Sequence, residues 1–251
     1  MKKYNRTFLF VACIAMASLI LVGSKCKKKD EPPPPDDLIT CTSNITDGCL
    51  DDWKVYSWYT TYINPTGEFL QTLNELSALP PEAGGPGPVT ADTVTDCVQG
   101  KYAARLISGS FSPLGSPIFI PGYIGSSILD IPNATIHLGK PYTQRPLRFQ
   151  AYYKYAPANG DSALIEVMLS RFNTGAGKRD TISFDKIIIK NGVSSYTQID
   201  MTLSYRDSIN SPDTILIAFS ASADTRFNDL YHCSGQVGST MWVDDLKFVF
   251  P

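Results

Sequence analysis

The residues best suited to chemistry in this 251-residue sequence are scattered acids, two histidines and a run of polar and aromatic side chains at alternate positions. His137 and His232 stand in no HExxH pattern and no recognisable triad, and no GxSxG elbow occurs. Glycoside hydrolysis needs two carboxylates at a set separation. Glu166, Asp185, Asp200 and Asp229 are available, but their spacing brings no two of them together. No catalytic site is assembled by the sequence, and a non-catalytic protein is expected.

Holding a saccharide asks for different chemistry: an aromatic plate against the apolar face of the ring, with hydrogen-bonding groups around it. Arg148, Gln150, Tyr152 and Lys154 offer this on one face of a strand, and Gln198 and Asp200 could extend it from a neighbour. The bland alternative is a solvated sheet surface. Arg226 to His232, with Phe227 and Tyr231, is a second candidate at an edge. Trp53, Trp58 and Trp242 are expected in the core, although Trp242 falls on the face opposite Met241 and Val243. Asp244-Asp245 is the sharpest polar pair. A structural calcium there would need six to eight oxygens, with Asp51 or Asp52 and backbone carbonyls joining. Otherwise the pair marks a bulge whose acids meet water or backbone amides.

The elements that must position these residues read as strands. In 147–155, Leu147, Phe149, Ala151, Tyr153 and Tyr155 alternate with the polar set. The same period of two runs through 197–205 and 214–221, while 163–169 is apolar on both faces, as in a central strand. Segments 183–190 and 241–250 add two more strands, and after Asp244-Asp245 the apolar set changes parity. Turn clusters such as Pro157-Ala158-Asn159-Gly160 and Asn191-Gly192 separate them. The proline- and glycine-rich stretch 78–89 reads as a long surface loop, and only 69–76 has a helical period. Many short strands with such turns give an all-β, two-sheet antiparallel sandwich of jelly-roll type.

Ahead of this domain, Lys2, Lys3 and Arg6 precede an apolar run from Phe8 to Val22, the order of a secretory signal. Cys26 follows in Gly23-Ser24-Lys25-Cys26, where a lipidated cysteine would stand, although Lys25 departs from the usual small residue. The expected organisation is a signal peptide over 1–25, a lipidated Cys26 with a charged, proline-rich tether over 26–40, and one domain over 41–251. Lys29-Asp30-Glu31 is similar to a short signal that sends some lipoproteins to the outer face of the outer membrane. Without residues 1–25 the basic count falls from 22 by four to 18 against 24 acids, a net charge of −6. An acidic domain without a basic stripe excludes nucleic acid as a natural partner and leaves glycans or proteins at the cell surface. The membrane is then touched only through the lipid. Cys41, Cys49, Cys97 and Cys233 remain for an oxidising compartment; three pairings are open, with Cys41–Cys49 and Cys97–Cys233 preferred.

Five segments occur in an order that resembles one family: Gly100 to Leu106, Leu138 to Tyr142 with Arg145-Pro146, Tyr152 to Pro157, Phe219 to Ser222, and Gly238 to Asp245. Together, over roughly residues 90–250, they resemble the PCMD (putative carbohydrate metabolism domain) lipoproteins. The resemblance implies a jelly roll similar to carbohydrate-binding modules and a surface role in handling glycans. It carries over no catalytic residue set.

Overall fold

The structure, a computed structural model, describes residues 40–251 except 134 and 228. Residues Leu38–Pro251 form one compact unit. The expected export signal, Cys26 and the expected tether as far as residue 39 lie outside the described residues.

Strands β1 (Trp53–Ser57) and β2 (Thr61–Pro65) make a first hairpin. Nine shorter segments follow: β3 (Gln71–Thr72), β4 (Ala91–Val94), β5 (Ala103–Ile107), β6 (Gly109–Phe111), β7 (Ile118–Ile120), β8 (Tyr123–Gly125), β9 (Ser127–Asp130), β10 (Thr135–Leu138) and β11 (Lys140–Pro141). The long strands come last: β12 (Arg148–Ala156), β13 (Ala163–Asn173), β14 (Lys178–Ile189), β15 (Val193–Thr202), β16 (Thr214–Ser220) and β17 (Thr240–Val249). One sheet runs β15-β12-β17-β5-β4; the other runs β14-β13-β16-β8-β3, with β11 also on β16. Their ladders are antiparallel. This is the expected all-β sandwich, a jelly roll.

Alternation explains how the two sheets close. β12 turns Phe149, Ala151 and Tyr155 inward, and β17 adds Met241, Val243, Leu246 and Phe248. Ile165, Val167 and Leu169 of β13 and Ile215, Ile217 and Phe219 of β16 meet them from the other sheet. Phe149 and Phe219 touch across the gap with ring centroids 6.1 Å apart. Each such side chain, fully buried, contributes on the order of 1.5–3 kcal/mol.

The second sheet is covered on its outer face too. Leu164, Leu216 and Ala218 point away from the first core into a cluster with Leu76, Phe111 and Ile120. That second layer is why β13 and β16 are apolar on both faces. It is built from the β6–β7 and β9–β10 hairpins, the segment around Leu230, and a 3-10 turn at Asn74–Ala78, which meets the expected helical stretch 69–76 only at its end, Gln71–Thr72 of that stretch being strand β3. Buried Asn74 ties this layer to the sandwich: its Oδ1 accepts from Thr90 N (2.8 Å) and Ala91 N (2.9 Å), and its Nδ2 donates to the Ile63 and Ala91 carbonyls. The proline-rich loop 78–89 is thereby closed at both ends. The outer face of the first sheet carries no such second layer of hydrophobic side chains among the described residues.

The parity change in β17 is a bulge. Gln150 pairs with Lys247 but Tyr152 pairs with Asp244, so one extra residue is inserted in β17, and Asp245 takes φ 46°. The cysteines correct one expectation. Cys41 and Cys49 are disulfide-bonded, but Cys97 and Cys233 are both free. Cys97 lies in the β4–β5 loop against Asp244 of the first sheet, while Cys233 is buried in the cluster outside the second sheet. The whole sandwich separates them.

Candidate functional site

Register, rather than local sequence, assembles the outer face of the first sheet. Lys154 pairs with Trp242, Trp242 with Arg105, and Arg105 with Asp92, so these four side chains form one row across β12, β17, β5 and β4. Next to the row Tyr152 stands opposite Gln198, and further along Gln150 stands opposite Asp200 and Arg148 opposite Thr202. All six residues expected on this face are therefore brought to it. They are not equally free. Arg148 and Asp200 are joined by an ion pair of 2.7 Å, diagonal to the ladder. Lys154 is largely covered: its ammonium lies 4.5 Å from the Tyr196 ring centroid and 5.0 Å from that of Trp242, and it pairs with Asp96. Arg105 is held by Asp92 through Nε and Nη2. Gln150, Tyr152 and Gln198 make no side-chain hydrogen bond to a described residue, leaving a neutral polar strip beside the indole.

At the end of this strip the face opens into a cleft of about 410 Å³, walled by Trp242, Lys154, Pro157, Gly192 and the start of β15 at Val193 and Ser194. Trp242 is half-buried, with Met241 and Val243 beneath it in the core. A half-buried indole in the wall of a cleft offers the part of its ring that Lys154 does not cover to an apolar sugar face. Arg105, Asp92, Asp96 and Tyr196 were not singled out from the sequence. Arg105 has the right parity between Ala104 and Leu106, but only the ladder places it beside Trp242.

The β4–β5 loop borders the face, and two aspartates fix it. Asp244 Oδ2 accepts from Val98 N (2.6 Å) and Gln99 N (3.1 Å), and its Oδ1 from Asp245 N (2.8 Å). Asp51 Oδ1 accepts from Lys101 N and Tyr102 N. Gly100 between them has φ 71°, and a Cβ there would lie 2.0 Å from Asp51 Oδ2, so glycine is required. Tyr196 closes the contact by donating to the Asp96 carbonyl at 2.6 Å. Burial pushes the Asp244 carboxyl up to about 6 despite its three amide donors.

The acid pair thus has a structural occupation. Asp244 and Asp245 are both fully buried, and the amides account for Asp244, while Asp245 has Lys247 Nζ at 3.4 Å. Among the described residues no group of three or more His, Cys, Asp and Glu could hold a metal ion. The amide-bound bulge explains the pair without a calcium, which would need several further oxygens.

The other candidates are dispersed. Asp185 accepts from Ser204 N (2.7 Å), Glu166 lies opposite Lys186 on β13, and Asp229 lies 2.5 Å from His232 Nδ1. In the segment Arg226 to His232, Phe227 and Leu230 are core residues and Tyr231 is exposed. Trp53 packs on the main core, its indole donating to the Leu50 carbonyl at 2.8 Å. Trp58 is 53% exposed at the β1–β2 turn, so of the three tryptophans only Trp53 meets the expectation of a core position.

No protein-family model matches the sequence, and no curated protein matches it. Solved structures do match. One, described as a putative glycoside hydrolase from Bacteroides thetaiotaomicron, is 15% identical, with 84% of this chain and 72% of that chain covered and a TM-score of 0.63. Another, with the same description and from Bacteroides vulgatus, is 20% identical over 78% of this chain and 89% of that one, with a TM-score of 0.58. These two establish the fold. A family 11 carbohydrate-binding module from Clostridium thermocellum aligns more loosely, at 12% identity over 84% of this chain and 95% of that one, with a TM-score of 0.35.

Proposed function

We propose that this protein is an exported, lipid-anchored glycan-binding protein of the PCMD type, displayed at the cell surface and non-catalytic. The observation that carries the reading is the row Lys154–Trp242–Arg105–Asp92, opening onto a 410 Å³ cleft with Tyr152, Gln150 and Gln198 alongside. An aromatic plate beside neutral hydrogen-bonding side chains matches the amphipathic surface of a pyranose. The two solved structures that share the fold are described as putative glycoside hydrolases, which supports a saccharide ligand and not the non-catalytic part of the reading. Export and anchoring rest on the charged, apolar and cysteine-containing order of the first 26 residues.

The test is a glycan array with the unit Leu38–Pro251, run with and without calcium. Selective binding of at least one glycan that falls about thirtyfold in Trp242→Ala and weakens in Tyr152→Ala is the expected result, whatever other saccharide the variant still binds. A blank array under both conditions overturns the reading and leaves a structural or adhesive envelope protein with a protein partner.

A further inference from the structure

A second cleft, of about 380 Å³, lies in the layer outside the β16 sheet, away from the face described above. Trp58 from the β1–β2 turn, Glu75 from the 3-10 turn, Ile128 and Asp130 from β9, and His137 from β10 line it. Three separate parts of the chain converge there, and two of their side chains are only partly satisfied by the described residues.

Trp58 is the first. It leaves 53% of its surface in water at a hairpin tip. An indole is among the largest apolar surfaces a side chain can bury, and here about half of it is left uncovered. Glu75 is the second. Its side chain accepts no hydrogen bond from any described residue, and burial alone raises its carboxyl above the usual range. Asp130 is the opposite case. It accepts from Asn133 Nδ2 at 2.9 Å and lies 3.0 Å from His137 Nε2. Asn133, then His137, hold its carboxyl below the usual range and fix its direction. The volume falls at the small end of ligand pockets, enough for one ring rather than a chain.

We infer that this cleft is a second saccharide site, in which Trp58 stacks on the apolar face of one pyranose and Glu75 and Asp130 accept hydrogen bonds from its hydroxyls. A sugar hydroxyl gives Glu75 the donor it lacks, and the ring covers the indole. A peptide would leave the carboxyls short of donors unless it were basic. The site rests on its own residues and not on those of the first sheet.

Tryptophan fluorescence separates the two sites. The unit Leu38–Pro251 carrying Trp242→Ala retains Trp53, which is fixed to the Leu50 carbonyl, and Trp58 as reporters. It is titrated with neutral oligosaccharides of glucose, galactose, mannose and xylose, and with tri-lysine as the basic peptide. The expected result is a saturable shift with at least one saccharide. Trp58→Phe in the same background abolishes it, and Glu75→Gln weakens it at least threefold. Both substitutions are at partly or fully exposed positions, and circular dichroism checks that the fold is kept. No saturable shift with any saccharide, a shift that survives Trp58→Phe, or a response to tri-lysine alone overturns the inference. Each of these leaves the proposed function standing if Trp242→Ala still weakens binding of the array ligand.

Discussion

Replacing Asp244 by Asn tests the account of the bulge and of the loop that borders the site. Asp244 is fully buried, and its carboxyl is pushed up to about 6 from an ordinary 3.8, first by desolvation. Between those two values the folded protein holds a proton that the unfolded chain has released. Stability from this group is therefore greatest at the acid end and is lost as pH rises through about 6. A shift of about two units corresponds to no more than about 3 kcal/mol, of which about 2 kcal/mol falls between pH 4.5 and 7.5. Asn cannot titrate. It also gives up one acceptor to the Val98, Gln99 and Asp245 amides, a loss of about 1–3 kcal/mol that does not change with pH. Urea unfolding of both proteins from pH 4.5 to 7.5 separates the two effects, because the offset belongs to the acceptor and the slope to the proton. The stability difference should move in favour of Asp244→Asn by about 2 kcal/mol across that range. A flat difference, or one in which the wild type gains as pH rises, would refute the reasoning. It would mean that the amides hold the carboxylate ionised.

Three further outcomes are expected. Trp242→Ala should cost on the order of 2 kcal/mol in glycan affinity, about thirtyfold by isothermal titration, while the melting temperature stays within a few degrees because the indole is outside the core. Affinity at the sheet face should change less than twofold between 50 and 500 mM NaCl. Its cations are already matched, Arg105 by Asp92, Arg148 by Asp200, Lys154 by Asp96 and Lys247 by Asp245, so a steep salt dependence would instead point to a charged glycan. In the unit Leu38–Pro251, Ellman's reagent should find one slow thiol in the folded state, half-buried Cys97, and two after unfolding, when Cys233 leaves its cluster.

Much of the sandwich was legible because one period governs it. The alternation in 147–155, 197–205 and 214–221 placed the core residues Phe149, Ile199, Met201, Ile217 and Phe219 correctly, and the parity change at Asp244-Asp245 located the bulge. Periodicity says which face a residue takes but not which residue stands beside it on the next strand. Arg105 and Asp92 are separated from Trp242 by more than a hundred positions in sequence, and only the β17–β5–β4 register joins them. Free Cys97 and Cys233 were illegible for a related reason: an even count of cysteines carries no information about which side of a sheet each occupies. Trp58 was assigned to the core on residue type alone, but the three-residue turn between β1 and β2 lifts it into water.

The position of the proposed site follows from the unequal covering of the two sheets. A sheet can present an ordered array of side chains only where its outer face is not needed for burial. β16 spends its outward Leu216 and Ala218 on the second cluster, so the second sheet has nothing to display there. The first sheet can place unlike side chains in register because no second layer constrains their type. With strands about 4.8 Å apart, a row crossing four of them spans roughly 14 Å, long enough for an oligosaccharide rather than a single ring. The buried Asp244 belongs to the same argument. Fixing the β4–β5 loop through this buried acid holds Asp96 where it neutralises Lys154, whose ammonium lies 5.0 Å from the Trp242 ring centroid, so the pair beside the plate carries no net charge. A face built in this way selects its ligand by shape and hydroxyl pattern, and it leaves little for charge to decide.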